Sequence, residues 1–588
     1  MQPSRGASTA WRVGVVAWFA CATAFAQTHP TTGPQGGTPV APYDGVERTS
    51  LYVPVRDGTR LAIDIFRPTR AGAVASQRLP VIWMHTPYNR RTTAQGAPTV
   101  EKYPGFALEL VKYGYNVAVV DFRGLYASFG QNRGYNRGEW VDAARMDAYD
   151  ITEWLARQPW STGKVGMWGC SATGGSQLEA ATTLPPSLKA IMPMSAEFDA
   201  YPFIVMGGVQ FPEPWKETTS QQANAARDEK AAPVDGADAG RLLAQAIATH
   251  RDNIESPGRL PYRDSHSSSL DLDWWQVSSP STYLDALKRG DFGVDLAVNW
   301  DEAGTKPGAF HLFANLPASR VKLLIGPKQH CGWSEVQEET GFSIVAEELR
   351  FFDHWLKGID NHVMDSRVTY YTYNAAKGEE WRSAQSWPPA PQQPTPFFLT
   401  HSALTRKPAP SVNADRVAMS PTGHSTVIKI ERQQGGISYQ TEPLTVDTEL
   451  TGDPVAHLWI RTSAADALAM VWIDDVAPDG SARSYQMLGR LLASDRALAH
   501  SPYDNLGMPW HSFLKKDAMP LQPGKPAELV FRLLPMSYLF KAGHRIRATL
   551  TFTDPRGRVE GMPPIEVLTG GKLASYLVLP LVPASPHS

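Results

Sequence analysis

Cysteine is almost absent: 588 residues carry three, at positions 21, 170 and 331. A disulfide-built scaffold is therefore excluded, and three cysteines allow at most one bridge within the chain. Net charge is nearly absent too, at −2, with no run of Lys or Arg, so there is no basic field to neutralise phosphates and nucleic acid is not expected as a partner. Beyond the N-terminus no stretch approaches the roughly 20 apolar residues of a membrane span, so no membrane partner is expected either. The spacings HExxH, CxxC and GxxxxGK are missing, which leaves no metal or phosphate-loop signature and no expected cofactor. What is present is a globular composition, 42% hydrophobic and 19% charged, in a chain long enough for two or three domains.

The N-terminus carries Arg5 and Arg12, an apolar stretch over 13–25, and Ala24-Phe25-Ala26 before a Pro/Gly-rich lead. This reads as a secretory signal over 1–26 cleaved after Ala26, and the expected location is periplasmic or secreted. Cleavage removes Cys21 and leaves Cys170 and Cys331 in a compartment where disulfides persist.

The mature chain changes rhythm three times. From 27 to 197, "LYVPVRDGTRLAIDIFRP" predicts a hairpin around Asp57-Gly58. "LPVIWM", "YNVAVVD", "KVGMWG" and "LKAIMPM" predict buried parallel strands, with a helix through Ala144, Ala148, Ile151 and Leu155 between the second and third. Over 198–282 the rhythm gives way to helical segments with bulky aromatics, read as a cap. It resumes over 283–385 with "DLAVNWD", "VKLLIGP" and an amphipathic helix in "IVAEELRFFDHWLKG". Near Trp387, "WPPAPQQPTP" has linker composition, and 386–588 predicts an all-β sandwich, with "RIRATLTFT" as a half-buried strand. The rhythm predicts a parallel α/β sheet with a helical insertion, followed by an all-β domain.

Ser171 stands in "VGMWGCSATGGSQ", after a predicted strand and before a segment able to open a helix. A serine at such an elbow is presented above the sheet, although Thr173 replaces the glycine of G-x-S-x-G and the pattern is G-x-S-x-x-G. Asp301 and His330 follow at the ends of the two later strands, giving the order Ser, Asp, His and an expected catalytic triad.

With these segments in place, the chain resembles the cocaine esterase and X-prolyl dipeptidyl peptidase family. That group also contains α-amino acid ester hydrolases and glutaryl-cephalosporanic acid acylases. The shared stretches include "TPYNR", "VVDFRG", "NWD", "GPKQH", "LRFFDHWLKGID" and "FKAGHRIRATL". The resemblance implies an α/β-hydrolase core with a helical cap insertion and a C-terminal all-β jelly roll, in agreement with the rhythm. Within that fold it implies Ser171 as nucleophile, His330 as general base, Asp301 as orienting acid, and an oxyanion hole from the Tyr88 hydroxyl and the Ala172 amide. It also implies a small-molecule ester or amide substrate; a homo-oligomer is left open. Two departures stand out. Ala172 occupies a position that is usually aromatic, and the carboxylates available to hold a substrate ammonium reduce to Glu302 and Asp199. Trp215 and Trp274 are further candidates to line a substrate pocket.

Cys170 precedes the serine and Cys331 follows the histidine. If those two residues meet, a bridge becomes feasible, an arrangement that resembles tannases and fungal feruloyl esterases; the alternative is two buried free thiols. The expected activity is an exported serine hydrolase working through an acyl-enzyme. An α-amino acid ester hydrolase or acyltransferase, an X-prolyl dipeptidyl aminopeptidase, and a non-catalytic carbohydrate-binding protein are the alternatives.

Overall fold

The computed structural model describes residues 41–93, 101–102, 109–210, 220–389, 391–421 and 425–583. The expected signal over 1–26 and the candidate Trp215 lie outside them. Among the described residues no helix is long and apolar enough to cross a membrane.

The first sheet is built from β1 (Gly45–Pro54), β2 (Arg60–Arg70), β3 (Leu79–Thr86), β4 (Asn116–Asp121), β5 (Ser161–Cys170), β6 (Leu188–Met194), β7 (Gly293–Asn299), β8 (Val321–Gly326), β9 (Val368–Tyr371) and β10 (Trp381–Ala384). Its spatial order is β1-β2-β4-β3-β5-β6-β7-β8-β9-β10. The hairpin β1-β2 is antiparallel, as is the joint of β2 with β4. From β4 to β9 every pairing is parallel, and β10 closes the edge antiparallel. The six residues of each of β4 and β8 are all buried. Helices on both faces exclude water from both, which is why these strands read as continuous apolar runs.

Helix α1 (Asp147–Ala156) links β4 to β5, and α2 (Ala172–Thr182) starts directly after β5. All eleven residues of α2 are buried. Its small side chains permit that: a Cβ on Gly174 would sit 2.5 Å from the Met194 carbonyl of β6, so helix and strand meet only because position 174 has no side chain.

The cap contains α3 (Ala200–Ile204), α4 (Ser220–Asp228), α5 (Ala239–Ala248) and α6 (Trp274–Val277), and α7 (Leu284–Arg289) follows it, packing Leu284 and Leu287 into the main core. Trp274 and Trp275 pack with Trp140 and Tyr201 into the cap's own core. Trp274 is fully buried there, so the pocket role expected for it does not fit: it supplies packing. Back in the core, α8 (Lys306–Asn315) follows β7, while α9 (Trp333–Thr340) and α10 (Ile344–Phe352) follow β8.

The C-terminal domain is all-β, with thirteen strands among the described residues, from Gln393–Thr400 to Tyr576–Val582. Part of the linker-like text is strand: Gln393–Thr400 pairs antiparallel with Tyr576–Val582 through Pro394 and Pro396. A second neighbour, Ala403–Thr405, joins only from Phe398 onward, so both prolines fall where the strand has one free edge. Strand Arg545–Thr553 departs from simple alternation, because Thr549, Thr551 and Thr553 are buried along with Ile546, Ala548, Leu550 and Phe552. Thr549 accepts from Arg432, and Thr551 donates to Gln433 at 2.8 Å. Such bonds let a polar face be covered by the domain's other layer.

Candidate functional site

Ser171 occupies the one residue between β5 and α2, with φ 64° and ψ −129°, a conformation that costs a non-glycine residue energy and that marks nucleophile elbows. Its amide donates to the Met194 carbonyl at 3.0 Å, and its carbonyl accepts the Gly174 and Gly175 amides at 2.8 and 2.9 Å. The unusual G-x-S-x-x-G spacing has a local cause. Thr173 sits in the first turn of α2 with its hydroxyl on the Cys170 carbonyl at 2.7 Å, and the close approach to the sheet is made one residue later, by Gly174.

The Ser171 hydroxyl lies 3.4 Å from the Tyr88 hydroxyl, and Tyr88 is 45% exposed. Ala172 is the first residue of α2, where helical amides have no intrahelical acceptor. The expected pair of oxyanion donors is thus brought to the same point as Ser171. Cys170 and Cys331 are disulfide-bonded, with Cα atoms 5.9 Å apart, and the bond joins the elbow to the loop after β8 that carries His330.

At His330 the structure differs from the sequence reading. The carboxylate on its ring is Glu302 and not Asp301: His330 Nδ1 and Glu302 Oε2 are 2.6 Å apart. Glu302 is fully buried and receives three further hydrogen bonds. The Asn299 amide donates at 2.8 Å, the Ser195 hydroxyl at 2.9 Å and the Thr305 hydroxyl at 2.5 Å. Burial opposes its charge, yet the hydrogen bonds led by His330 prevail and hold its pKa below the ordinary glutamate value. His330 Nε2, the other ring nitrogen, makes no hydrogen bond among the described residues. A base whose outward nitrogen has no partner while its inner nitrogen is fixed by a carboxylate can accept a proton from a hydroxyl placed beside it.

Asp301 faces the other way because of its neighbours. Trp300 is fully buried, with its indole N–H on the Tyr371 carbonyl at 2.6 Å and its amide on Gly326 at 2.9 Å. With position 300 fixed, successive side chains leave on different sides. Asp301 accepts from the Tyr373 hydroxyl at 3.0 Å, away from His330, and its pKa is pushed up by burial against the pull of Lys306 and Tyr373. The longer glutamate arm reaches under the histidine.

Asp199 is committed elsewhere. It caps α3 through the Tyr201 amide, is gripped by Arg263 Nη1 at 2.8 and 2.7 Å, and accepts from Tyr503 of the C-terminal domain at 3.3 Å. An aspartate so held is already neutralised and offers little to a substrate ammonium. Glu302, turned onto His330, offers none. Asp199, Arg263 and Tyr503 border a cavity of about 140 Å³ between cap, core and C-terminal domain, which Gly304 and Pro307 of the Glu302 loop also line.

A nucleophile elbow on a parallel sheet, with a histidine backed by a buried carboxylate on later loops, defines a serine hydrolase of the α/β-hydrolase fold. Residues 57–332 match the X-Pro dipeptidyl-peptidase (S15) family, and residues 361–561 match the X-Pro dipeptidyl-peptidase C-terminal non-catalytic domain. A Mycobacterium bovis protein named as a serine esterase is 30% identical over 87% of this chain and 91% of its own length. The cocaine esterase of a Rhodococcus species is 28% identical over 74% of this chain and 81% of its own. A CocE/NonD family hydrolase from Staphylococcus aureus shares the fold, with a TM-score of 0.69 at 22% identity over 92% of this chain and 94% of that one. The chain belongs to this X-Pro dipeptidyl-peptidase and cocaine esterase family of serine hydrolases.

Proposed function

We propose that the protein is an exported acyl-ester hydrolase whose nucleophile is Ser171, whose general base is His330 and whose orienting acid is Glu302. The observation that carries the assignment of the acid is the 2.6 Å contact between His330 Nδ1 and Glu302 Oε2. Ser171 Oγ attacks the acyl carbon and passes its proton to His330 Nε2. The oxyanion is received by the Tyr88 hydroxyl and the Ala172 amide. His330 then returns the proton to the leaving alcohol, and water repeats the cycle on the acyl-enzyme. Glu302 holds the imidazole in the tautomer that leaves Nε2 free and stabilises the imidazolium that forms.

Because Arg263 already engages Asp199 and His330 engages Glu302, acyl groups without a free α-amino group are favoured over aminoacyl ones. Export is supported by the signal-like sequence over 1–26 and by the Cys170–Cys331 bond, which suits an oxidising compartment.

The test is kcat/KM on matched p-nitrophenyl esters: benzoyl and branched acyl, an α-aminoacyl ester and its N-blocked form. The expected order places the uncharged acyl groups first, with every activity lost in Ser171→Ala. Turnover retained by Ser171→Ala contradicts the nucleophile, and a preference for the free amine contradicts the specificity.

A further inference from the structure

The loop that carries Glu302 is held from two sides by the C-terminal domain, and both holds converge on Gln486. Lys306, the first residue of α8, is fully buried, and its ammonium donates to the Trp300 carbonyl at 2.6 Å and to the Gln486 carbonyl at 3.2 Å. Trp300 is two residues before Glu302, while Gln486 lies on the C-terminal strand Ala482–Leu492. On the far side of Glu302, the Ala303 and Gly304 amides donate to the carbonyls of Ile428 and Val427 at 2.8 and 2.9 Å. That segment is fixed in turn by the Gln486 side chain, which accepts from the Ile430 amide at 3.0 Å and donates to the Ile430 carbonyl at 3.1 Å. Backbone tied to the C-terminal domain through the Lys306 ammonium two residues before the acid, and bonded to it directly just after the acid, leaves Glu302 little freedom.

We propose that Lys306 is a positioning residue which, with Gln486, makes the C-terminal domain set the place of Glu302 against His330. This rests on the reading of Glu302 as the orienting acid. The chemistry is specific. A buried ammonium bonded to two carbonyls fixes their separation, and no apolar side chain of the same length can do so. Catalytic groups tolerate displacements well under 1 Å, so a slackened loop acts on the chemical step rather than on substrate capture. The domain whose family description is non-catalytic thereby enters the reaction through the backbone it holds.

The test is steady-state kinetics of the full chain carrying Lys306→Met, Gln486→Met, Glu302→Gln, and Lys306→Met combined with Glu302→Gln, each confirmed folded by thermal melting. Lys306→Met and Gln486→Met are each expected to lower kcat about 10- to 100-fold with KM within about threefold. In the Glu302→Gln background, adding Lys306→Met is expected to change kcat by less than about threefold, because a residue acting through Glu302 has nothing left to position. A cost for Lys306→Met that is the same in both backgrounds overturns the proposal, as does wild-type kcat in either single variant. If Lys306→Met does not fold, Gln486→Met alone and combined with Glu302→Gln decides in the same way. Glu302→Gln with wild-type kcat overturns the assignment of the acid itself, an outcome read separately from the other variants.

Discussion

Two adjacent acids differ in everything but charge. Glu302 is buried under four hydrogen bonds and touches the base, while Asp301 meets a tyrosine on the other side of the loop. Glu302→Gln is expected to lower kcat about 10³- to 10⁴-fold, the scale seen when an orienting carboxylate becomes an amide and the histidine tautomer is lost. Asp301→Asn should cost less than about tenfold, and kcat for the pair measures the difference. Tyr88→Phe removes one oxyanion donor and should cost about 10²-fold in kcat with little change in KM. The pKa of Glu302 is held below its ordinary value of 4.5, so its charge stabilises the fold at and above that pH. That contribution disappears as pH falls through the lower folded value, and Glu302→Gln should flatten the acid side of the melting curve against pH. The types and order of the site residues were legible in the sequence down to the choice of acid. The choice itself was not, because it depends on Trp300 being locked by a carbonyl on β9, a long-range contact without a trace in local spacing.

At the scale of elements, the strand-turn-helix at 161–182 is where sequence and structure agree closely, because its apolar run, its glycines and its small-residue helix all serve one local geometry. The last two strands of the sheet, β9 and β10, left no comparable signal; each is four residues long and only partly buried. Gly174→Ala should destabilise the protein by about 1–3 kcal/mol or more, since the new methyl meets backbone and not a movable side chain; a lowered Tm in the Ser171→Ala background checks this without relying on activity. The Cys170–Cys331 bond closes 161 residues, and the chain-entropy treatment sets an upper value of about 5 kcal/mol on its stabilisation. Its larger effect is expected on rate, because it ties the residue before the nucleophile to the residue after the base. Reduction should therefore remove activity at temperatures where the far-ultraviolet circular dichroism is unchanged, and alkylation without reductant should label neither cysteine. Activity that survives full reduction contradicts the role in positioning.

Across the whole molecule, the long arrangement was readable from rhythm alone: alternating strands and helices, an aromatic helical insertion, then short alternating strands. What rhythm does not convey is how the parts grip one another. Tyr503 of the C-terminal domain reaches the Asp199–Arg263 pair of the cap, and Gln486 holds the catalytic loop. Such pairs join residues 64 to 304 positions apart. A buried acid of the core affects global stability in the opposite sense to Glu302. Glu348 of α10 is fully buried with neither carboxylate oxygen hydrogen-bonded among the described residues, and burial, with Asp295 adding to it, raises its pKa to about 8. A raised carboxylate favours the folded state while protonated, so stability declines from the ordinary glutamate value of 4.5 up to about pH 8 and then levels. Glu348→Gln should match the wild type near pH 4.5 and exceed its Tm at pH 8. The central claim, that one serine on this scaffold carries the chemistry, is tested most directly by mass spectrometry after exposure to a fluorophosphonate. The account predicts a single adduct on the peptide containing Ser171 and none in Ser171→Ala; an unmodified wild type, or an adduct on any other residue, would contradict it.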